Sequence, residues 1–168
     1  DQRENRELVR RYSSGRAVLN TFSYTGGFSV YALAGGAERV VSVDSSAGAV
    51  RLAERNVALN FGDGAPHEGG AVDAFDYLKG MDGSFDGFAK HHKGLGNAMK
   101  GYMCLNARAL SQIAPGGILF TFSCSQAVSR ELFRTAVFTA AAVAGRNVRI
   151  LHQLTQPADH PVNIYHPE

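Results

Sequence analysis

Arg16-Ala17-Val18-Leu19-Asn20, running directly into Thr21-Phe22-Ser23-Tyr24-Thr25-Gly26-Gly27-Phe28, is the stretch from which the other residues of this 168-residue chain can be read. Its first part is a short apolar run closing on small and polar residues, as in a strand buried within a parallel sheet. A glycine-containing loop follows, and residues 28–33 then space their apolar side chains as a helix does. Downstream, Arg39-Val40-Val41-Ser42-Val43 is a second apolar strand ending at Asp44, and residues 47–60 carry Val50, Ala53 and Val57 at amphipathic helical spacing. The order is therefore strand, glycine loop, helix, strand, helix.

The alternation continues on both sides of this unit. A charged helical segment precedes it. After it come a weak strand near Ala71-Val72 ending at Asp73, a helix over 94–113 and a turn at Pro115-Gly116-Gly117. The most apolar strand, Ile118-Leu119-Phe120-Thr121-Phe122, runs into Ser123-Cys124-Ser125. An alanine-rich helix from Arg130 is stopped by Gly145, and Val148-Arg149-Ile150-Leu151-His152 reads as a further strand. Alternating strands and helices predict an α/β, Rossmann-like fold, with a mostly parallel central sheet and helices on both faces. In such folds ligands bind beyond the carboxyl ends of the strands.

Composition bounds the rest. A content of 45% apolar and 19% charged residues suits one globular domain with a real core. The net charge of +2 does not by itself mark a nucleic-acid protein. Arginines 3, 6, 10, 11 and 16 nevertheless crowd the N-terminus, and Lys90, His91, His92, Lys93 and Lys100 form a second basic run; each reads as a solvated face or as an RNA contact. Cys104 and Cys124 form no C-x-x-C pair, so a reducing, cytoplasmic setting is expected and disulfides are not. The three C-terminal histidines, His152, His160 and His166, lack metal-ligand spacing, and no metal is expected. No apolar run spans a bilayer. The chain opens at Asp1 without Met and stops soon after a strand-like run, so residues 1–168 read as one domain of something longer.

Glycines between a first strand and its helix let a ligand approach the backbone, and an acidic residue ending the second strand can accept hydrogen bonds from ribose hydroxyls. Gly26, Gly27 and Asp44 are so arranged, and Asp73 closes the next strand. The dinucleotide pattern G-x-G-x-x-G is absent, which favours a nucleoside lacking a pyrophosphate. A tight turn with no ligand is the plainer alternative.

Asp1-Gln2-Arg3, the loop from Asn20 to Phe28, Val43-Asp44-Ser45, Thr121-Phe122-Ser123-Cys124-Ser125 and Gln156-Pro157-Ala158-Asp159-His160-Pro161 together resemble the bacterial 23S ribosomal RNA cytosine-5 methyltransferases, class I enzymes dependent on S-adenosyl-L-methionine (SAM). The resemblance implies SAM as cofactor. It sets Phe22, Ser23, Tyr24, Thr25, Gly26 and Gly27 around the methionine part, Asp44 and Ser45 at the ribose, and Asp73 and Ala74 at the adenine, with Arg3 on the methionine carboxylate. It also implies ribosomal RNA as the partner and Cys124 as the nucleophile. Carbon 5 of cytosine is a poor nucleophile until a thiolate adds at carbon 6. Without the resemblance a lone cysteine reads as a small buried apolar residue, and Cys104 keeps that reading. Phe88, Lys90, His91 and Lys93 are expected to line the channel for an extruded or unpaired base, with a solvated loop as the alternative.

One departure is consequential. Relatives carry an apolar strand ending in Asp-Pro-Pro where this chain has only Gly87 between Phe85-Asp86 and Phe88-Ala89-Lys90. That strand would lie centrally, so its loss is expected to damage both folding and turnover. Either a stretch is missing from the sequence as read or the chain is a deletion variant. A catalytically silent SAM- or RNA-binding module, or a methyltransferase acting on another base, are the competing functional readings.

Overall fold

The computed structural model describes residues 2–81, 85–92, 98–123 and 128–155, with the backbone alone described at 85–92 and 98. In chain order the elements are α1 (Arg3–Tyr12), β1 (Ala17–Thr21), α2 (Gly27–Ala34), β2 (Arg39–Asp44), α3 (Ala47–Phe61), β3 (His67–Ala71), α4 (Ala74–Lys79), β4 (Phe85–His92), α5 (Ala98–Gln112), β5 (Ile113–Ser123) and α6 (Arg130–Val143). The strands form one parallel sheet in the order β3-β2-β1-β4-β5. This is the expected α/β architecture. No helix among the described residues is long and apolar enough to cross a membrane.

Period-two alternation divides the strands between two cores. Leu19, Val41 and Val43 pack with Leu78 of α4 and with Leu105 and Ala109 of α5 on one face. Val18, Val40, Phe120 and Phe122 pack with Val9 of α1 and Ala32 of α2 on the other. A sheet buried on both faces explains why β1 and β2 read as nearly continuous apolar runs. The two polar interruptions, Asn20 and Ser42, are both buried and both hydrogen-bonded.

Several expectations need correction. The third strand is His67–Ala71 rather than a segment at Ala71-Val72, and its sequence, HEGGA, has no apolar signature because backbone pairing to β2 makes it a strand. The interior position is not vacant. Phe85–His92 takes it, pairing with β1 on one side and β5 on the other. Part of the basic run expected to line a channel or form a loop is thus an interior strand, since two parallel strands flanking a gap leave unpaired backbone groups that any intervening extended segment satisfies. The register of β4 against β5 jumps between Phe85↔Ile113 and Gly87↔Ile118. Pro115-Gly116-Gly117 bulges out in that interval, with Gly116 at φ +78°. The short helix α4 was not foreseen. Finally, Val148-Arg149-Ile150-Leu151-His152 is not a strand: the segment pairs with no described strand, and Val148, Ile150 and Leu151 are exposed. It is tethered instead by His152 Nε2, 2.8 Å from the Tyr12 hydroxyl of α1.

Candidate active site

The loop between β1 and α2 has an unusual backbone. Phe22 (φ 54°) and Tyr24 (φ 47°) both occupy the left-handed region, at a cost of about 1–2 kcal/mol each. The surrounding structure enforces this shape. Ser23 N–H donates to the Val43 carbonyl at 3.0 Å, and Tyr24 N–H donates to Asp44 Oδ2 at 3.0 Å. The other Asp44 oxygen, Oδ1, accepts from Ser46 N–H at 2.9 Å. Asp44 therefore sits at the end of β2 with both carboxylate oxygens oriented by main-chain donors, a geometry that presets it for further donors such as vicinal hydroxyls.

From the other side α3 closes on the loop. Asn56 Nδ2 donates to the Thr25 carbonyl at 2.9 Å. Gly26, left-handed at φ 76°, is the N-cap of α2, and a Cβ there would lie 2.7 Å from Ala53 Cβ and 3.0 Å from Ala53 Cα. Glycine is required twice over, by conformation and by contact. At Gly27, a Cβ would meet Arg6 Nη1 at 3.1 Å, and the same guanidinium lies over the Tyr31 ring, 5.5 Å from its centroid. A cation thus stands beside the uncapped N-terminus of α2, where backbone N–H groups also favour negative charge.

At the ends of the neighbouring strands, Val72 N–H donates to the Asp44 carbonyl at 3.0 Å, which draws Asp73 alongside. Asp73 Oδ1 caps α4 by accepting from Phe75 and Asp76 N–H at 2.8 and 3.3 Å, and Ala74 is buried behind it. Thr21 Oγ1, Ser23 Oγ and Thr121 Oγ1 are buried without a hydrogen-bond partner, all at or just past the carboxyl ends of β1 and β5. Buried orphan hydroxyls at this edge are what a polar ligand would satisfy. No cluster of three or more His, Cys, Asp or Glu side chains suited to a metal occurs among the described residues.

Residues 1–76 match the family model for S-adenosylmethionine-dependent methyltransferases. A protein from Streptococcus mutans assigned as a SAM-dependent methyltransferase superimposes with a TM-score of 0.89 at 26% identity, over 98% of this chain and 45% of that one. This chain resembles the SAM-dependent methyltransferases in sequence and fold. A second solved structure, of a protein assigned as a methyltransferase and complexed with SAH, gives a TM-score of 0.88 at 25% identity, over 98% of this chain and 45% of that one. Among curated proteins, Ribosomal RNA large subunit methyltransferase I from Aeromonas salmonicida is 42% identical and that from Tolumonas auensis 43%, each across all of this chain and 45% of the relative. The chain thus spans about half the length of the curated relatives it matches. Those alignments run over 178 positions, ten more than the chain has, so gaps totalling at least ten positions fall within it.

Against this methyltransferase frame the expected residues separate into groups. Phe22, Ser23, Tyr24, Thr25, Gly26, Gly27, Asp44 and Ser45 come together in one loop and strand end, with Asp73 and Ala74 next to them. Arg3 is exposed on the first turn of α1, and Arg6, one turn later, is the arginine that reaches Gly27. Sequence reasoning named Arg6 only within the basic N-terminal run, although its i, i+3 spacing from Arg3 on a helix also places the two on one face. Lys90 is in register with Thr21 and Thr121 at the carboxyl end of β4, and His91 with Phe122. Phe88 occupies a mid-strand position between Leu19 and Leu119, not a loop. Lys93 and Cys124 lie outside the described residues. Cys104, expected in the core, is exposed on α5, because Tyr102, Leu105 and Ala109 take the buried positions of that helix.

Proposed function

We propose that this chain is the catalytic domain of a SAM-dependent methyltransferase that modifies large-subunit ribosomal RNA at carbon 5 of a cytosine, with Cys124 as nucleophile. The observation that carries the reading is the strained, doubly braced loop from Phe22 to Gly26 beside a pre-oriented Asp44. When bound, SAM supplies an electrophilic methyl group on sulfur. Asp44 would accept the ribose hydroxyls, and the Ser23 hydroxyl and loop backbone would face the methionine part. Asp73 and Ala74 would border the adenine. Lys90, His91 and Lys93 would meet the RNA, in a reducing, cytoplasmic setting.

Cys124 directly follows Ser123, whose Oγ is 2.8 Å from the hydroxyl of the fully buried Tyr102. That bond ties the end of β5 to α5. In the chemistry proposed, the Cys124 thiolate adds to carbon 6 of cytosine and the electron pair moves to carbon 5. Carbon 5 then takes the methyl group, leaving SAH, the neutral thioether. Loss of the carbon 5 proton to a base expels the thiolate from carbon 6. RNA carrying 5-fluorocytosine cannot lose a proton at that carbon, so incubation with SAM should yield a covalent protein–RNA adduct stable to denaturation. A nitrogen methylase would form none.

A second reading has its own support. The alignments with the curated relatives carry gaps totalling at least ten positions within this chain, and its sequence contains no Asp-Pro-Pro. A chain without that turn could retain cofactor binding and lose turnover. SAH binding with neither adduct nor transfer would establish this silent module.

Arg6, rather than Arg3, is the residue we assign to the methionine carboxylate. Arg6→Gln should weaken SAH binding by about 10- to 100-fold, the worth of a charge-assisted hydrogen bond. It should leave 5′-methylthioadenosine, which lacks the amino-acid part, unchanged. Calorimetric titration of both ligands decides the matter, since equal loss for both would mean a structural role.

A further inference from the structure

Beneath the cofactor loop, four side chains from four elements form one continuous hydrogen-bonded line. Asn20 Nδ2 of β1 donates to Ser29 Oγ of α2 at 2.9 Å. Ser29 Oγ lies 2.6 Å from Ser42 Oγ of β2, which lies 2.7 Å from His67 Nε2 of β3. Asn20, Ser29 and Ser42 are essentially inaccessible, so none can exchange its partner for water. Only the histidine end is half-buried and within reach of solvent protons.

Counting protons gives the line a direction. Each hydroxyl finds an acceptor within the line when Ser29 Oγ accepts from the Asn20 amide, the Ser29 hydroxyl donates to Ser42 and the Ser42 hydroxyl donates to His67 Nε2. That arrangement requires a neutral imidazole with its proton on Nδ1. A proton on Nε2 reverses the Ser42 and Ser29 hydroxyls, and the Ser29 hydroxyl then finds its acceptor within the line when the Asn20 amide turns over to present its oxygen. Asn20 is next to the last residue of β1, immediately before the loop that bears Phe22 and Tyr24.

We propose that His67 is a positioning residue for the cofactor loop: its neutral imidazole, acting through Ser42 and Ser29, holds the Asn20 amide in the orientation the loop needs, and protonation releases it and weakens cofactor binding. The inference rests on SAM being the ligand. The charged groups around His67 are Glu54 of α3, whose carboxylate lies over Gly69 on the same strand face, and Glu68, which pairs with Arg39 of β2 at 3.1 Å. Burial is the largest influence and lowers the His67 pKa from the ordinary 6.5, while Glu54 and then Glu68 oppose it more weakly. The neutral form the line requires is therefore the one favoured at neutral pH. Because the folded value is depressed, the stability associated with neutral His67 is fully present above 6.5 and is lost as pH falls toward the folded pKa.

The test follows SAH affinity and the Asn20 side-chain amide resonances together, from about pH 7.5 down to about pH 4.5, a span carried below the ordinary histidine range because burial lowers the His67 pKa. In the unaltered protein, affinity should fall several-fold on acidification while the Asn20 amide signals shift with the His67 titration. His67→Gln, whose amide oxygen can accept from Ser42 and does not titrate, should bind SAH at neutral pH as the unaltered protein does and show neither change. His67→Leu should bind at all pH values as weakly as the acidified protein. An acid limb that persists in His67→Gln, or Asn20 signals indifferent to His67 protonation, overturns the proposal. Failure of SAH to bind at neutral pH would count against the cofactor reading, and the Asn20 signals would still decide the relay.

Discussion

Under the proposed cysteine mechanism, Cys124→Ser should lower methyl transfer to ribosomal RNA by about 10³-fold or more, the usual cost of removing a covalent nucleophile, while SAH affinity stays within about two-fold, as for a group acting only in chemistry. Serine preserves size and shape but is scarcely ionised near neutral pH, so its addition to carbon 6 of a pyrimidine is lost. Single-turnover transfer of labelled methyl groups, paired with calorimetry of SAH on the same sample, separates the two quantities. Undiminished transfer would remove the cysteine mechanism and leave a methyltransferase acting on another atom. Cys104→Ser is the internal control: that side chain is exposed on α5, and its replacement should change neither quantity.

The second large effect is expected from Gly26→Ala. A methyl group there would press against Ala53 Cβ at 2.7 Å and against the Ala53 Cα at 3.0 Å. The second of these atoms is backbone, so relief requires α3 to move away. Left-handed strain adds about 1 kcal/mol and the displaced packing about 1–3 kcal/mol more. α3 also carries Asn56, which holds the Thr25 carbonyl, so its retreat would relax the loop as well. The variant should show a Tm lower by several degrees and SAH binding weakened at least about ten-fold, or 1.4 kcal/mol. Gly145→Ala, at a positive-φ glycine that follows α6 with nothing near its added methyl group, supplies the comparison for strain alone. If both substitutions cost the same, the contact with α3 has no role in shaping the loop.

The β1–loop–α2–β2–α3 unit was legible because each of its signals is local. Doubly buried strands read as apolar runs, the glycine loop follows directly, and Val50, Ala53 and Val57 mark one helix face. β3 and β4 were not legible, since HEGGA and FDGFAKHH carry neither an apolar run nor a clean alternation. Their strand character comes from neighbours that offer a ladder of hydrogen bonds. The converse holds for Val148-Arg149-Ile150-Leu151-His152, whose apolar pattern suits a strand but which finds no described strand to pair with. Cys104 was misread because a helix with two packed faces, one toward the sheet and one toward α6, still leaves an outer stripe, and only the packing shows which residues fall on it.

By itself, then, the sequence determined the α/β class, the place of the glycine loop and the acidic residue that ends β2, because each depends on residues adjacent in the chain. Tertiary structure alone decided that Arg6 and not Arg3 meets Gly27, that Phe85–His92 pairs between β1 and β5, and that His67 is wired to Asn20 through two serines. Those contacts join elements distant in sequence. They are set by strand register and helix placement, and a shift of one residue in register would turn Ser42 or His67 to the opposite face of the sheet.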